Sequence, residues 1–276
     1  MMKDFRDFFG IDAGRLKGKK LWLFDLDGTV YVDDALLPGA LELLKYITDN
    51  DGRYVFITNN SSRSVNDYLK KAERIGLPAK EDSFYTSAQA TALYLRENYD
   101  GKKIYCQGTR SFVAGLKAVG VDATENAEKA DVVVVGFDTE MTMEKLCRTC
   151  EILQTQDVVF LATNPDLACP VSYGFMPDCG SICAMIKNAT GREPFFIGKP
   201  EPVMVESVMK KYGFTRAETV VVGDRLYTDI LSGINAKVDA VCVLTGEATV
   251  GMINDGDIKP DLTFDNLMKV YEGLVD

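Results

Sequence analysis

The chain reads as an α/β protein in which a parallel-sheet core is interrupted by a second α/β unit, and three observations predict this. First, the runs Leu21-Trp22-Leu23-Phe24, Tyr54-Val55-Phe56-Ile57, Val132 to Val135 and Val220-Val221-Val222 are apolar without alternation, as expected of strands covered on both faces. Second, segments with apolar residues at helical spacing lie between such runs, so strands and helices alternate. Third, the outer runs end in polar residues, whereas those of the middle third do not end in acidic pairs, apart from Asn164-Pro165-Asp166 shortly after the last.

The elements follow in order. The first strand ends at Asp25. After Pro38-Gly39, Leu41, Leu44 and Ile47 fall near helical spacing, with Pro38 suited to a first helical position. The second strand runs into Thr58-Asn59-Asn60-Ser61-Ser62-Arg63, and Val65, Tyr68, Leu69, Ala72 and Ile75 then mark a helix face that Gly76 can close. From about Phe84 a second alternation predicts strands over 104–106, 132–135 and 158–161 with helices over 112–119 and 143–153. A third set opens with a strand over 195–197 ending at Gly198-Lys199-Pro200, then a helix over 203–212. A strand ending at Gly223-Asp224, a helix carrying Ile230, Leu231 and Ile234, and a strand over 240–244 complete it. These breaks place a core at 1–82 and 194–276 and an inserted domain at 83–193.

Composition narrows the chemistry. The 276 residues are 46% apolar and 26% charged, with a formal net charge of −10 and no basic cluster, so nucleic acid is not an expected partner. The N-terminal stretch mixes Lys3, Asp4, Arg6 and Asp7 with aromatics and lacks a signal-peptide core. No apolar run approaches the roughly 20 residues needed to cross a bilayer, and the expectation is a soluble, cytoplasmic protein with no membrane partner. Seven cysteines, several within apolar segments, fit free buried thiols in a reducing compartment. Cys147-Arg148-Thr149-Cys150 lies inside a helical period rather than at a helix start after a strand, so core packing is expected of it rather than redox or zinc chemistry. There is no histidine, which removes Ser-His-Asp and Cys-His nucleophiles and imidazole-bound zinc together.

Four polar sites remain, each just past the carboxyl end of an expected strand: Asp25 and Asp27, Thr58 and Asn59, Lys199, and Asp224. In open parallel sheets that edge, at the topological switch point, is where ligands bind. Three carboxylates near one point repel one another unless a cation is present, and Mg²⁺ is hard and takes carboxylate, water and phosphate oxygens. Thr58 offers a hydroxyl and Asn59 a backbone N–H to a phosphate, and Lys199 a compact positive charge. An ionised Asp beside a metal and a phosphate can attack phosphorus, and a carboxyl two residues on can shuttle the proton.

Each motif taken singly has a plainer reading. Asp-x-Asp-Gly-Thr is also a turn or a calcium-loop fragment, the Thr58 run a helix cap, Gly198-Lys199-Pro200 an exposed turn, and Asp229 a helix-start charge. Their conjunction at strand ends favours the catalytic reading.

In that conjunction the chain resembles the haloacid dehalogenase superfamily: Asp25-Leu26-Asp27-Gly28-Thr29-Val30 matches its first motif and Thr58-Asn59-Asn60 its second. Gly198-Lys199-Pro200 matches the third and Gly223-Asp224-Arg225-Leu226-Tyr227-Thr228-Asp229-Ile230 the fourth. The insertion between the second and third is similar to that of the class IIA, NagD and p-nitrophenylphosphatase branch. The resemblance implies a Rossmann-like core with an inserted C2-type α/β cap. It also implies Asp25 as nucleophile, Asp27 as acid/base with its carbonyl on Mg²⁺, Asp224 as metal ligand, Asp229 as support of the metal site, and Lys199 as neutraliser of the phosphorylated nucleophile. In the cap it points to Asn164, Asp166, Cys169 and Pro170 as substrate-facing candidates, and a plain loop is an equal reading. Related phosphatases can carry a histidine where Cys169 stands.

The expected activity is Mg²⁺-dependent hydrolysis of small phosphate monoesters, with a possible homodimer formed through the cap. The same nucleophile also serves a phosphomutase, and an acidic pocket with Thr and Lys also serves a receiver-like module phosphorylated on Asp.

Overall fold

The computed structural model describes residues 5–126, 128–171 and 173–276, leaving aside the side chains of Pro170 and Val171. The chain divides into two compact units. One comprises the chain up to Thr58, Val65–Tyr85 and Pro200–Asp276, and the other Asn59–Ser64 with Thr86–Lys199.

The sheet of the first unit runs in the order Leu262–Phe264, Asp239–Val243, Thr219–Gly223, Leu21–Phe24, Arg53–Thr58, Phe84–Thr86. Leu21–Phe24 pairs in parallel on both sides, Phe24 lying opposite Val222 on one and Phe56 on the other. Strand order reverses between Leu21–Phe24 and Thr219–Gly223, so a switch-point crevice opens where the chain leaves those two strands. Both faces are covered. Trp22, Phe24, Phe56, Val220, Val222, Val241 and Val243 pack with Leu43, Leu44, Ile47, Leu267, Val270 and Leu274. On the other face Ala240 and Cys242 meet Leu226, Ile230 and Ile253. This double cover is why the strand sequences are apolar at every position.

The sequence expectation misjudged the first helix. Its buried face is Ala40, Leu43, Leu44 and Ile47, while Leu41 is exposed. The i, i+3, i+4, i+7 set fits one stripe better than 41, 44 and 47, which drift round the helix. Pro38 precedes the helix rather than starting it, because Gly39 takes the cap position in the left-handed region.

The second unit carries its own parallel sheet, in the order Phe195–Phe196, Val159–Ala162, Val132–Val135, Ile104–Gln107, Ala123–Thr124. Val132–Val135 is fully buried, and Ile152, Leu153, Ile182 and Ile186 pack in the same apolar cluster as Val133 and Val135. An antiparallel hairpin, Ala168–Val171 with Gly174–Pro177, completes it. Phe195–Phe196, expected to open the third set of core elements, instead extends this sheet beside Val159–Ala162, and Phe195 stacks on Tyr94 with ring centroids 5.9 Å apart. Two residues pair too briefly for their periodicity to identify the sheet they join. The thiols of Cys106, Cys179, Cys183 and Cys242 are buried as expected, but Cys147 faces solvent and Cys150 is half-buried. Core packing therefore holds for Cys150, which lies against the apolar cluster of this unit, and not for Cys147.

Among the described residues no helix is long and apolar enough to cross a membrane. The segment Asn59–Ser64 is built into the second unit by Ser61, whose buried hydroxyl lies 2.9 Å from Thr163 Oγ1 and accepts from the Phe137 N–H at 2.9 Å. Ser61→Ala leaves that buried N–H unmet and is expected to destabilise the protein by about 1–3 kcal/mol, read as a lower urea midpoint with an unchanged slope.

Candidate active site

Asp25 continues the central strand, its N–H donating to Val222 O at 2.9 Å. The chain then turns at once. Gly28 has φ +88° and donates to Tyr31 O at 2.8 Å, and a Cβ there would lie 2.6 Å from Asp224 Oδ2. Glycine is required on both counts. The turn brings the Thr29 hydroxyl to Asp224 Oδ1, 3.1 Å away. Asp224 itself follows Thr219–Gly223, two residues past the partner of Phe24.

Asp25, Asp224 and Asp229 each present an oxygen within 4.8 Å of the others. Asp224 and Asp229 are buried and Asp25 is partly open. Asp229 reaches this point through a single π-helical turn, Leu226–Ile230, in which the Ile230 N–H donates to Arg225 O at 3.1 Å. Such turns often mark functional positions. Its carboxylate also accepts from the Arg225 N–H at 3.1 Å. It is thus a member of the acidic cluster.

Burial, and then the charge of Asp229, push the Asp224 carboxyl up to about 6. Two donors oppose this, Thr29 and the Glu247 N–H at 2.8 Å. Arg225 supplies the nearby positive charge. Burial disfavours its ionised form, but Asp25, Tyr227, Asp224 and Asp229 more than offset that and hold the guanidinium protonated. The donor set suits a hard divalent cation: three carboxylates, two of them buried, converge where only oxygen ligands are offered.

The residues that sequence reasoning missed lie mostly on one loop. After Asp239–Val243, Thr245 donates to Gly28 O at 2.6 Å, Glu247 donates its N–H to Asp224, and a Cβ on Gly246 would overlap the Asp224 carboxylate. The Glu247 side chain pairs with Arg225 at 3.2 Å. The available signal was position alone, since this loop leaves the sheet at the same edge as Asp25 and Asp224 but carries no acidic pair. Lys71, on helix Val65–Ile75, was missed as well. Its ammonium sits 3.7 Å from Asp27 Oδ1 and 3.7 Å from the centre of the Tyr31 ring. Asp27 stays outside the carboxylate cluster, with its side chain 58% exposed, a placement suited to exchanging protons.

Thr58 closes its strand two residues beyond Phe56, the partner of Phe24, and is buried. In the second unit Asn59 and Lys199 meet. The Asn59 Nδ2 donates to Lys199 O at 2.9 Å, and Lys199 N–H donates to Asn59 Oδ1 at 2.8 Å.

The four cap candidates fare differently. Asn164 is fully buried, and its amide is wholly engaged within the protein. It donates to Asp166 Oδ2 at 2.9 Å and to Asp178 Oδ1 at 3.1 Å, and accepts from Thr163 Oγ1 at 2.8 Å. Rather than facing a substrate, it bridges the two ends of the hairpin, because Asp166 precedes it and Asp178 follows it. Asp166 is buried in the same network. Cys169 is half-buried against the apolar core of the unit, and the Pro170 side chain lies outside the described residues.

Comparison with known proteins agrees with this geometry. A family described as haloacid dehalogenase-like hydrolase matches residues 22–122, and a second, described as HAD-hydrolase-like, matches 196–270. An acid sugar phosphatase of Staphylococcus saprophyticus is 34% identical across 94% of this chain and 99% of its own. The solved structure of a 4-nitrophenylphosphatase from Thermotoga maritima superposes with a TM-score of 0.89 at 38% identity, covering 94% of this chain and 99% of that one. NagD from E. coli K-12 superposes with a TM-score of 0.83 at 32% identity, covering 91% and 97%. With relatives aligned almost end to end and the two matched segments carrying Asp25 and Asp224, the chain belongs to the haloacid dehalogenase-like hydrolases.

Proposed function

We propose that this enzyme hydrolyses small phosphate monoesters through a phosphoryl group carried on Asp25, with Mg²⁺ held by Asp25, Asp224 and the main-chain carbonyl of Asp27, and with Asp229 completing the acidic cluster. The observation that carries the reading is the difference in exposure within the carboxylate trio. Asp224 and Asp229 are buried and serve to hold charge, whereas Asp25 is partly open and can reach a substrate. The relatives named as acid sugar phosphatase and 4-nitrophenylphosphatase support a small phosphate ester as substrate.

In this reading an Asp25 carboxylate oxygen attacks phosphorus and the ester P–O bond breaks. Asp27 gives its proton to the departing alcohol oxygen. Asp27 then takes a proton from water, whose oxygen attacks the same phosphorus; the Asp25–phosphorus bond breaks and inorganic phosphate leaves with Asp25 restored. Thr58 and the Asn59 N–H bind phosphate oxygens, and Lys199 offsets the charge of the phosphorylated carboxylate. When bound, the cation supplies neutralising charge that lets carboxylate and phosphate approach. The inserted domain, about 83–193, acts as a cap that excludes water and selects the alcohol.

The enzyme is expected to release phosphate from p-nitrophenyl phosphate and sugar phosphates with Mg²⁺ and to stop when EDTA removes the ion. Asp25→Asn should lower kcat by about 10⁴-fold or more and Asp27→Ala by about 10²–10⁴-fold; full activity in either would refute its assigned role. Free phosphate as the product, with no isomerised ester, separates hydrolysis from phosphoryl transfer to a second hydroxyl.

The acidic cluster also sets a pH dependence. A carboxyl near 6 in the folded protein, against about 3.9 in an unfolded chain, binds its proton more tightly when folded, so the metal-free protein should lose stability as pH rises from about 4 to about 6. Asp224→Asn removes the charge while its amide can still accept from the Glu247 N–H and donate to the Thr29 hydroxyl. At pH 7 without metal this variant should melt at or above the wild-type temperature and show no rise on adding Mg²⁺, whereas the wild type should rise. A wild-type melting temperature indifferent to Mg²⁺ would contradict the assignment.

A further inference from the structure

We infer that the side chain of Asn59 is a positioning residue for Lys199, holding its main chain at both the N–H and the carbonyl; this rests on the reading of Lys199 as the group that offsets the phosphorylated nucleophile. The Asn59 carboxamide meets Lys199 as a neighbouring strand would, donating to its carbonyl at 2.9 Å and accepting from its N–H at 2.8 Å. Both residues are buried, so neither bond is exchanged readily for water.

The clasp is fitted to its surroundings. Gly198, just before the lysine, donates its N–H to Thr163 O at 2.8 Å, and a Cβ there would lie 2.5 Å from that carbonyl and 2.6 Å from Asn59 Oδ1. A glycine is therefore what lets the carboxamide come this close. Asn59 is fixed in turn, because its own carbonyl accepts from the Ser87 hydroxyl at 2.6 Å and Ser87 is fully buried at the start of helix Ser87–Asn98. Thr58 and Asn59 are consecutive, so the residue after the phosphate-binding threonine is tied to the main chain of the lysine 140 positions later.

This assigns Asn59 two separate tasks, a backbone N–H for phosphate and a carboxamide for Lys199. A lysine ends four carbons of flexible stem from its backbone, and a main chain held at both polar groups removes the first source of error in where the ammonium can reach. Displacement of about 1 Å in a group acting on the reacting phosphate is enough to slow turnover by about 10²-fold.

The test is a double-mutant cycle on the Mg²⁺-loaded enzyme, reading kcat/KM for p-nitrophenyl phosphate with Asn59→Ala, Lys199→Ala and the pair together, with Asp25→Asn as control. Asn59→Ala should lose about 10- to 100-fold, and adding it to Lys199→Ala should cost less than about 3-fold, because an effect exerted through the lysine vanishes when the lysine is gone. Equal losses in both backgrounds, or Asn59→Ala within about 2-fold of wild type, overturn the inference. Should Asn59→Ala fail to fold, Asn59→Leu is run through the same cycle. It keeps the size of the side chain and removes both bonds to Lys199 without adding a charge, and the same non-additivity is expected. An inactive Asp25→Asn beside a fully active Lys199→Ala overturns the role of the clasp while leaving the nucleophile in place. A fully active Asp25→Asn overturns the catalytic reading itself.

Discussion

Three carboxylates within 4.8 Å of one another are the constraint that the rest of the site answers. At an effective dielectric of about 20, each ionised pair at that separation repels by about 3 kcal/mol. Three such pairs would approach the whole stability of a typical domain, about 5–15 kcal/mol. The protein therefore cannot hold all three charges without positive charge close by. Part comes from Arg225, part from the protonation that burial and Asp229 favour on Asp224, and the Thr29 hydroxyl and Glu247 N–H add oriented dipoles. What remains is a demand for a cation, placed beside the one carboxylate of the three that is partly open.

The fold makes this crowding possible. Reversal of strand order between Leu21–Phe24 and Thr219–Gly223 sets two chain exits side by side, and the acidic residues sit one and two positions past paired strand residues. The closeness then depends on missing side chains. Gly28, Gly246 and Gly223 each stand where a Cβ would strike Asp224 or Asp229. The π-helical turn at Leu226–Ile230 brings Asp229 onto the same point. A rigid sheet fixes the ligands and three glycines let them converge, so the site is held by backbone rather than by flexible stems.

Much of this was legible in the sequence because it depends on residue type at a fixed distance from a buried strand. Apolar runs without alternation located the strands, and acidic residues just past them located Asp25 and Asp224. The parts that were not legible depend on partners far away in the chain. Nothing near Phe195 reveals which sheet a two-residue strand joins. Glu247 meets Asp224 through a backbone N–H, which every residue but proline possesses, so that contact leaves no mark on the sequence. Asn164 was a substrate-facing candidate through the family resemblance alone, with a plain loop as an equal reading, and its three partners, Thr163, Asp166 and Asp178, engage its amide from positions that periodicity does not connect. For Asn59, the motif suggested a phosphate contact through the backbone and was silent on the carboxamide.

The central claim is that the trio is one cation site on which the nucleophile depends. Calorimetric titration of Mg²⁺ into the metal-free protein tests it most directly, run on the wild type and on Asp224→Asn and Asp229→Asn. One ion per wild-type chain, with binding lost or greatly weakened in both variants, is the predicted result. Failure of the wild type to bind, or binding undiminished by either substitution, would contradict it.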